Sequence, residues 1–379
     1  MEIALGLLAV TLFLAYSNGA NDNFKGVSTL YGSGTLTYTQ ALWMATFGQV
    51  AGSAASVFLA DTLVKAFSGK GLVPADVSAS SPFLVSVGMG AGATVMLATA
   101  LGFPISTTHA LTGALIGAAL IANSGTVDLG LLGQSFFLPL LVSPVLAVVT
   151  CAPLYMIAHR FVAANGLTKE SCICVEPVPA SVIARSGHGT AVAQTNVAFA
   201  PVVTVGTTQT CARRQSYEGH LLGISAQSLV DGLHYLSAFA LCFARGLNDT
   251  PKIFALLFAA GLMQVDVSLG LIATAMAIGG WLHARKVAEK MSKEITPLNE
   301  GQALMANLVA AFYVITASKL GLPVSTTHVT VGAITGVGLV NGTARFGVIR
   351  NILLSWVLTL PIAAMIGAIA YLLLRTAGV

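Results

Sequence analysis

The stretch Gly19-Ala20-Asn21-Asp22-Asn23-Phe24-Lys25 places an acid, a base and two amides directly behind an apolar run from Ile3 to Tyr16. A charge in water-free hydrocarbon is costly, so one kept there marks a functional element. The stretch has a twin 227 residues later, Gly246-Leu247-Asn248-Asp249-Thr250-Pro251-Lys252, and the shared pattern is Gly-x-Asn-Asp-x-x-Lys. A second duplicated element, Gly102-Phe-Pro-Ile-Ser-Thr-Thr-His109, recurs at an offset of 219 as Gly321-Leu-Pro-Val-Ser-Thr-Thr-His328. Beyond the histidines, Gly113 and Gly332, Ala114 and Ala333, Gly117 and Gly336, and Leu120 and Leu339 also coincide. The eight-residue difference in offset is an insertion in the first half, placed at the 61–81 loop.

Composition puts these elements in a membrane. Of 379 residues, 55% are hydrophobic and 8% charged, against about 25% charged in a soluble domain. Thirty-nine glycines suit close helix packing in lipid. The net charge of +4 sits mainly in loops, where it sets topology rather than recruiting nucleic acid. Five cysteines at 151, 172, 174, 211 and 242 have no framework spacing, so disulfide stapling is not expected. Cys172, Cys174 and Cys211 form no spaced metal-ligand set. The N-terminal segment, with Glu2 its only charge and its own internal copy, reads as a transmembrane helix and not a signal peptide.

Runs long enough to span a bilayer fall at 2–33 (broken at Asn-Asp), 38–60, 82–101, 104–123 and 134–158. After a polar stretch at 160–220 they resume at 222–263 (broken again), 266–283, 302–320, 322–341 and 348–374. The expected organisation is a first transmembrane repeat at 1–158, a polar cytoplasmic insert at 159–220 and a second repeat at 221–379. Arg160, Lys169, Arg185, Arg213 and Arg214 place the insert in the cytoplasm, and Arg285, Lys286, Lys290 and Lys293 place the 284–301 loop there too. The repeats then cross in opposite senses, with both termini outside. The predicted fold is an all-α polytopic membrane protein of about 10–12 membrane segments, with inverted-topology repeats, broken helices and paired helical hairpins. That architecture belongs to secondary transporters, which hold substrate at the midplane between repeats.

Asp22 and Asp249 are hard anionic ligands, and Asn21 and Asn248 add neutral carbonyl oxygens, a donor set suited to a cation such as Na+. The plainer alternative is an ion pair of each Asp with Lys25 or Lys252, three residues on; duplication at a helix break favours the functional reading. Ser106, Thr107 and Thr108, and likewise Ser325, Thr326 and Thr327, open helices after Pro104 and Pro323. Helix N-termini bearing hydroxyls bind phosphate or sulfate readily. N-capping alone explains one serine, not a triple hydroxyl cluster in each of two copies. His109 and His328, directly behind the hydroxyls, are read as hydrogen-bonding supports. Lys25 and Lys252 are candidates for contact with the anion or for replacing a cation's charge. Asp231 and His234, with Ala4 and Leu7 as counterparts, mark a cytoplasmic helix end. Arg245 and Lys319, with Asn18 and Ala100 as counterparts, read as asymmetric gate or interface residues.

The paired Gly-x-Asn-Asp elements, the paired Pro-(Ile/Val)-Ser-Thr-Thr-His hairpins and the polar central segment resemble the inorganic phosphate transporter (PiT) family over nearly the whole chain outside 160–220. The resemblance implies a symporter taking up inorganic phosphate with Na+ or H+, in an inverted-repeat fold that forms homodimers. Carried over, Asp22 and Asp249 are Na+ ligands with Asn21 and Asn248 beside them, and the six hydroxyls surround the anion. One departure stands out: family members continue Asn-Asp-x-x-Asn, whereas Lys25 and Lys252 occupy that place here. Two fixed ammonium groups open the alternative of a sulfate permease of the same fold. An anion channel fits less well, because Asp22 and Asp249 would repel the permeant ion. Enzymatic activity is not expected, since no nucleophile–base pair or metal-ligand set stands out, and no cofactor beyond the co-transported cation is implied. Size and the lack of a targeting peptide point to a bacterial inner membrane.

Overall fold

A computed structural model describes residues 2–59, 61–68, 73–123, 128–166, 171–180, 198–207, 222–261 and 264–377. The chain divides into two compact units, Met1–Met156 with His234–Val379, and Ile157–Leu233. Ten helices of sixteen residues or more are present among the described residues. The first five are α1 (Glu2–Asp22), α2 (Tyr38–Leu59), α3 (Ser81–Ala100), α4 (Thr107–Ala122) and α5 (Leu138–Ala164). The second five are α6 (Ala226–Ala259), α7 (Val265–His283), α8 (Glu300–Lys319), α9 (Thr326–Asn341) and α10 (Phe346–Thr376). Seven helical spans among the described residues are long and apolar enough to cross a membrane. This is an integral membrane protein.

The helices stop where the sequence supplies a chemical reason. α3 and α8 end at Gly102 and Gly321, both at positive φ (75° and 71°), where glycine carries no Cβ penalty. The amides of Phe103 and Leu322 then reach back to the carbonyls of Ala98 and Ala317 at 2.8 and 2.9 Å. Pro104 and Pro323 follow, and Ser106 and Ser325 cap the next helices by accepting from His109 N (3.1 Å) and His328 N (3.2 Å). The matching pairs α3–α4 and α8–α9 are the two helical hairpins. At about 1.5 Å per residue, the sixteen-residue helices α4 and α9 are about 24 Å long, shorter than the roughly 30 Å hydrocarbon core.

The sequence predicts a helix broken at each Asn-Asp element, and the two copies differ. α1 ends at Asp22, turns at Asn23-Phe24 and enters a 3-10 turn at Lys25–Val27 before a short helix at Ser28–Gly32. α6 instead runs unbroken through Asn248-Asp249 with Pro251 inside it. The fixed φ of proline suits a helix, so Pro251 removes one backbone donor without ending the helix.

Packing interleaves the halves through glycines. A Cβ on Gly19 (α1) would overlap the Met276 carbonyl of α7, and one on Gly279 (α7) the Tyr16 carbonyl of α1. The equivalent pair joins α6 to α2, where Gly246 faces the Gln49 carbonyl and Gly52 the Phe243 carbonyl. Likewise Gly113 and Gly117 of α4 lie against Leu360 and Ala364 of α10, while Gly332 and Gly336 of α9 lie against Pro144 and Val148 of α5. Each half thus packs its first helix on the second helix of the other half, and its hairpin helix on the other half's closing helix. Small residues allow this close backbone approach, the main source of helix association where lipid is as apolar as the side chains.

The second unit, described by itself, is the exception to the all-α pattern. It contains a three-stranded antiparallel sheet in the order β2-β1-β3, with β1 Ser171–Ala180, β2 Ala198–Thr207 and β3 Leu222–Ser225. Cys172 and Cys174 lie on β1. Lys169, Arg185, Cys211, Arg213 and Arg214 lie outside the described residues.

Candidate anion and cation site

The duplicated motifs meet in the interior of the helical unit. Asp22, Lys25, Arg245, Asp249 and Lys252 are each at most 3% exposed, and Asn18, Asn21, Asn23 and Asn248 are buried with them. The N-termini of α4 and α9 abut at the same place. Thr108 Oγ1 of the first hairpin donates to the Val324 carbonyl of the second (3.1 Å), and Thr327 Oγ1 of the second donates to the Ile105 carbonyl of the first (2.8 Å).

The two lysines cross this junction. Lys25 Nζ donates to Asp22 Oδ1 (2.5 Å), to the Ile105 carbonyl (2.6 Å) and to Thr327 Oγ1 in the other half (2.5 Å). Lys252 Nζ donates to the Val324 carbonyl (2.7 Å) and to Thr108 Oγ1 in the other half (2.8 Å), with Asp249 Oδ1 at 3.7 Å. Because Ile105 matches Val324 and Thr108 matches Thr327, each lysine repeats the other's contacts. Each binds the carbonyl before its own hairpin helix and the threonine hydroxyl of the opposite one. The structure therefore contains the Asp–Lys pairs of the plainer sequence reading, and it also places both lysines against the hydroxyl clusters. A lysine three residues after a carboxylate is within ion-pair reach; the cross-half contacts have no signature in either copy alone.

The asparagines hold the hairpins. Asn21 Nδ2 donates to Thr99 Oγ1 (2.9 Å) and the Phe103 carbonyl (3.0 Å), and Asn21 Oδ1 accepts from Ile105 N (3.1 Å). Asn248 Oδ1 accepts from Ser318 Oγ (3.1 Å), the counterpart of Thr99, while Asn248 Nδ2 donates to Asp249 Oδ1 (3.0 Å) and the Val324 carbonyl (3.3 Å). Both amide oxygens are thus engaged with hairpin groups. The carboxylates converge on Asn18, whose Nδ2 lies 3.4 Å from Asp22 Oδ2, 3.3 Å from Asp249 Oδ2 and 2.9 Å from Thr107 Oγ1. Thr107 Oγ1 lies 3.5 Å from Asp22 Oδ2, and Thr326 is buried.

Behind the hydroxyls, the rings of His109 and His328 lie 4.4 Å apart between centroids. His328 stacks on Trp356 at 3.6 Å, and its Nδ1 lies 3.3 Å from the Leu140 carbonyl. Trp356 Nε1 donates to the Pro104 carbonyl (3.2 Å), bracing the first hairpin from α10. His234 is buried with Nε2 3.1 Å from Thr29 Oγ1. Of the two asymmetric basic residues, Lys319 is exposed at the end of α8 while Arg245 lies in the charged centre. Asn18 and Asn23 escaped the sequence reading. The available signal was that Asn18 occupies the position equivalent to Arg245.

A sequence model described as the phosphate transporter family matches residues 18–367. The chain belongs to the phosphate transporter family. Among curated members, a Rhizobium meliloti protein named "Probable low-affinity inorganic phosphate transporter" is 28% identical, covering 97% of this chain and 96% of its own length. "Inorganic phosphate transporter 2-1, chloroplastic" of Arabidopsis thaliana is 27% identical, over 97% of this chain and 71% of the relative. A solved structure titled "The sodium-dependent phosphate transporter" superposes with a TM-score of 0.74 at 21% identity, covering 99% of this chain and 100% of that one. That likeness speaks to the fold. Within the family, the Gly-x-Asn-Asp elements and the Ser-Thr-Thr-His hairpins of this member are the parts that meet in its centre. Among the described residues no cluster of three or more His, Cys, Asp or Glu is arranged to hold a metal ion.

Proposed function

We propose that this chain is a secondary active transporter that takes up inorganic phosphate with a cation, Na+ or H+, by alternating access around the buried site. The observation that carries the reading is the abutment of two equivalent helix N-termini, each crossed by a lysine from the opposite half. Phosphate oxygens would accept from Ser106, Thr107, Thr108, Ser325, Thr326 and Thr327, and from the ammonium groups of Lys25 and Lys252. The first-turn amides of α4 and α9 have no intrahelical acceptor and add donors at the positive end of each helix dipole. In the described state the lysines bond directly to Thr108 and Thr327, so an arriving anion would exchange these contacts for its own. Breaking the crossed contacts on one face of the junction and then the other is the proposed switch between the halves. His109 and His328 hold the hairpin ends from behind.

Asp22 and Asp249 are the proposed cation ligands, with Asn21 and Asn248 fixing the hairpins beside them. The halves are read as inverted repeats, spanning 1–158 and 221–379, with the 159–220 insert cytoplasmic and the termini outside. The protein is read as a homodimer in a bacterial inner membrane. A second reading, sulfate transport by the same machine, is favoured by one observation: two buried ammonium groups face the hydroxyls and could donate to a dianion, with a co-transported cation balancing its second charge.

The test is uptake of labelled phosphate and labelled sulfate into proteoliposomes, with and without Na+ and a pH gradient. Phosphate accumulation that sulfate does not outcompete is expected; sulfate-selective uptake would move the assignment to the second reading. If Asp22→Asn and Asp249→Asn both left uptake and its cation dependence intact, the cation-site assignment would fail.

A further inference from the structure

Asp22 pairs with Lys25, whereas Asp249 is shared by Lys252 at 3.7 Å and Arg245 at 3.8 Å. Arg245 is the third Lys or Arg side chain buried there among the described residues, and it has no basic counterpart in the first half, where Asn18 stands. The two equivalents meet: Arg245 Nη2 donates to Asn18 Oδ1 (2.9 Å), and Nη1 donates to Asn23 Oδ1 (2.9 Å). Arg245 Nε lies 3.8 Å from Asp249 Oδ2 and makes no hydrogen bond, although the side chain is only 1% exposed. With its oxygen held by Arg245, the Asn18 amide turns its Nδ2 toward both carboxylates.

A guanidinium stays protonated in proteins. Among the described residues, the Asp, Glu, Lys and Arg side chains buried in the centre are two carboxylates and three cations, so one positive charge is left over. An uncompensated charge in such a place is strongly unfavourable. A singly charged tetrahedral oxyanion cancels it with no metal ion present, whereas a doubly charged one calls for a single further cation. We infer that Arg245 is a built-in counter-cation that sets the charge stoichiometry of transport, letting the site take a phosphate monoanion without Na+. Arg245 acts as a positioning residue, through Asn18 and Asp249, rather than by touching the anion. The inference rests on the phosphate-transport reading and adds to it a definite ion count.

The test compares wild type, Arg245→Asn and Arg245→Lys. The readouts are equilibrium binding of labelled phosphate in choline and in sodium buffers, and the charge moved per phosphate in proteoliposomes. Wild type and Arg245→Lys are expected to bind phosphate in choline. Arg245→Asn is expected to lose about thirtyfold or more in affinity there, to recover with Na+, and to move one additional positive charge per phosphate. Equal binding in choline and an unchanged charge for Arg245→Asn would overturn the inference, as would a Na+ requirement in wild type. If Arg245→Asn does not fold, Asn18→Asp cancels the excess charge from the other side. It is expected to give the same loss in choline, and wild-type binding by it would be equally fatal. Wild type that binds sulfate and not phosphate fails the phosphate reading alone; sulfate then calls for one cation in wild type and two in Arg245→Asn, and an equal cation count in both would overturn the role of Arg245.

Discussion

Replacing Lys25 by Asn, the residue that the resemblance implies at this place, tests whether the ammonium stands in for a metal cation. In wild type Lys25 Nζ donates at 2.5 Å to Asp22 Oδ1, 2.6 Å to the Ile105 carbonyl and 2.5 Å to Thr327 Oγ1. The shorter amide brings no charge, so Asp22 is left with the long approaches of Asn18 Nδ2 (3.4 Å) and Thr107 Oγ1 (3.5 Å). Removing one partner of a buried ion pair costs about 3–5 kcal/mol, and that is the loss of stability expected in choline chloride. The space vacated beside Asp22 is then lined by a carboxylate, a backbone carbonyl and a hydroxyl, the oxygen set that Na+ accepts. A ligand that binds only the folded state at a hundred times its Kd returns about 2.7 kcal/mol, so sodium chloride at equal ionic strength should recover much of the loss. Denaturation of the purified protein in the two salts reads the stability, and uptake in the same salts reads function. Lys25→Asn as stable as wild type in choline, or equally destabilised in both salts with an unchanged ion requirement, would refute charge replacement by Lys25.

Other outcomes rest on the same geometry. Thr108→Val and Thr327→Val are close in shape, and each removes a hydroxyl that joins a lysine to the opposite hairpin. Hydrogen bonds to charged groups contribute about 1.5–3 kcal/mol, so each variant should weaken apparent phosphate affinity by about tenfold or more in transport titrations. Ser325→Ala removes the cap on His328 N and should lower stability by about 1 kcal/mol, measured by thermal melting in detergent. Gly52→Val forces a side chain into the Phe243 carbonyl and the Leu247 amide. At about 1–3 kcal/mol or more for overpacking, the yield of folded protein should fall sharply, as size-exclusion chromatography would report.

Much of this was legible in the sequence because duplication labels equivalent parts. Ser-Thr-Thr-His after Gly-x-Pro carries its own stop, turn and cap signals, and both hairpins form where those signals place them. Asp22 and Lys25 are close in sequence, so their pairing could be anticipated. The crossed bonds of Lys25 to Thr327 and Lys252 to Thr108 could not, because they depend on how the halves interleave. That in turn depends on glycines spread over the helices that pair across the halves. Arg245 was visible only as an unmatched basic residue; its burial between Asn18, Asn23 and Asp249 is a tertiary fact. The continuity of α6 through Pro251 was also hidden, since a proline inside a helical run reads as a kink or stop. In the insert, the strand pairing of Ser171–Ala180 with Ala198–Thr207 and Leu222–Ser225 joins segments far apart in sequence and has no local signal.

The most direct measurement is whether labelled phosphate rises above its outside concentration in proteoliposomes bearing an inward cation gradient, and whether it leaves again when an ionophore collapses that gradient. A carrier that couples the anion to a cation predicts accumulation beyond equilibrium, then efflux once the gradient is gone. Phosphate that merely equilibrates, at a level the ionophore does not change, would contradict coupled transport and leave only a passive path through the same helices.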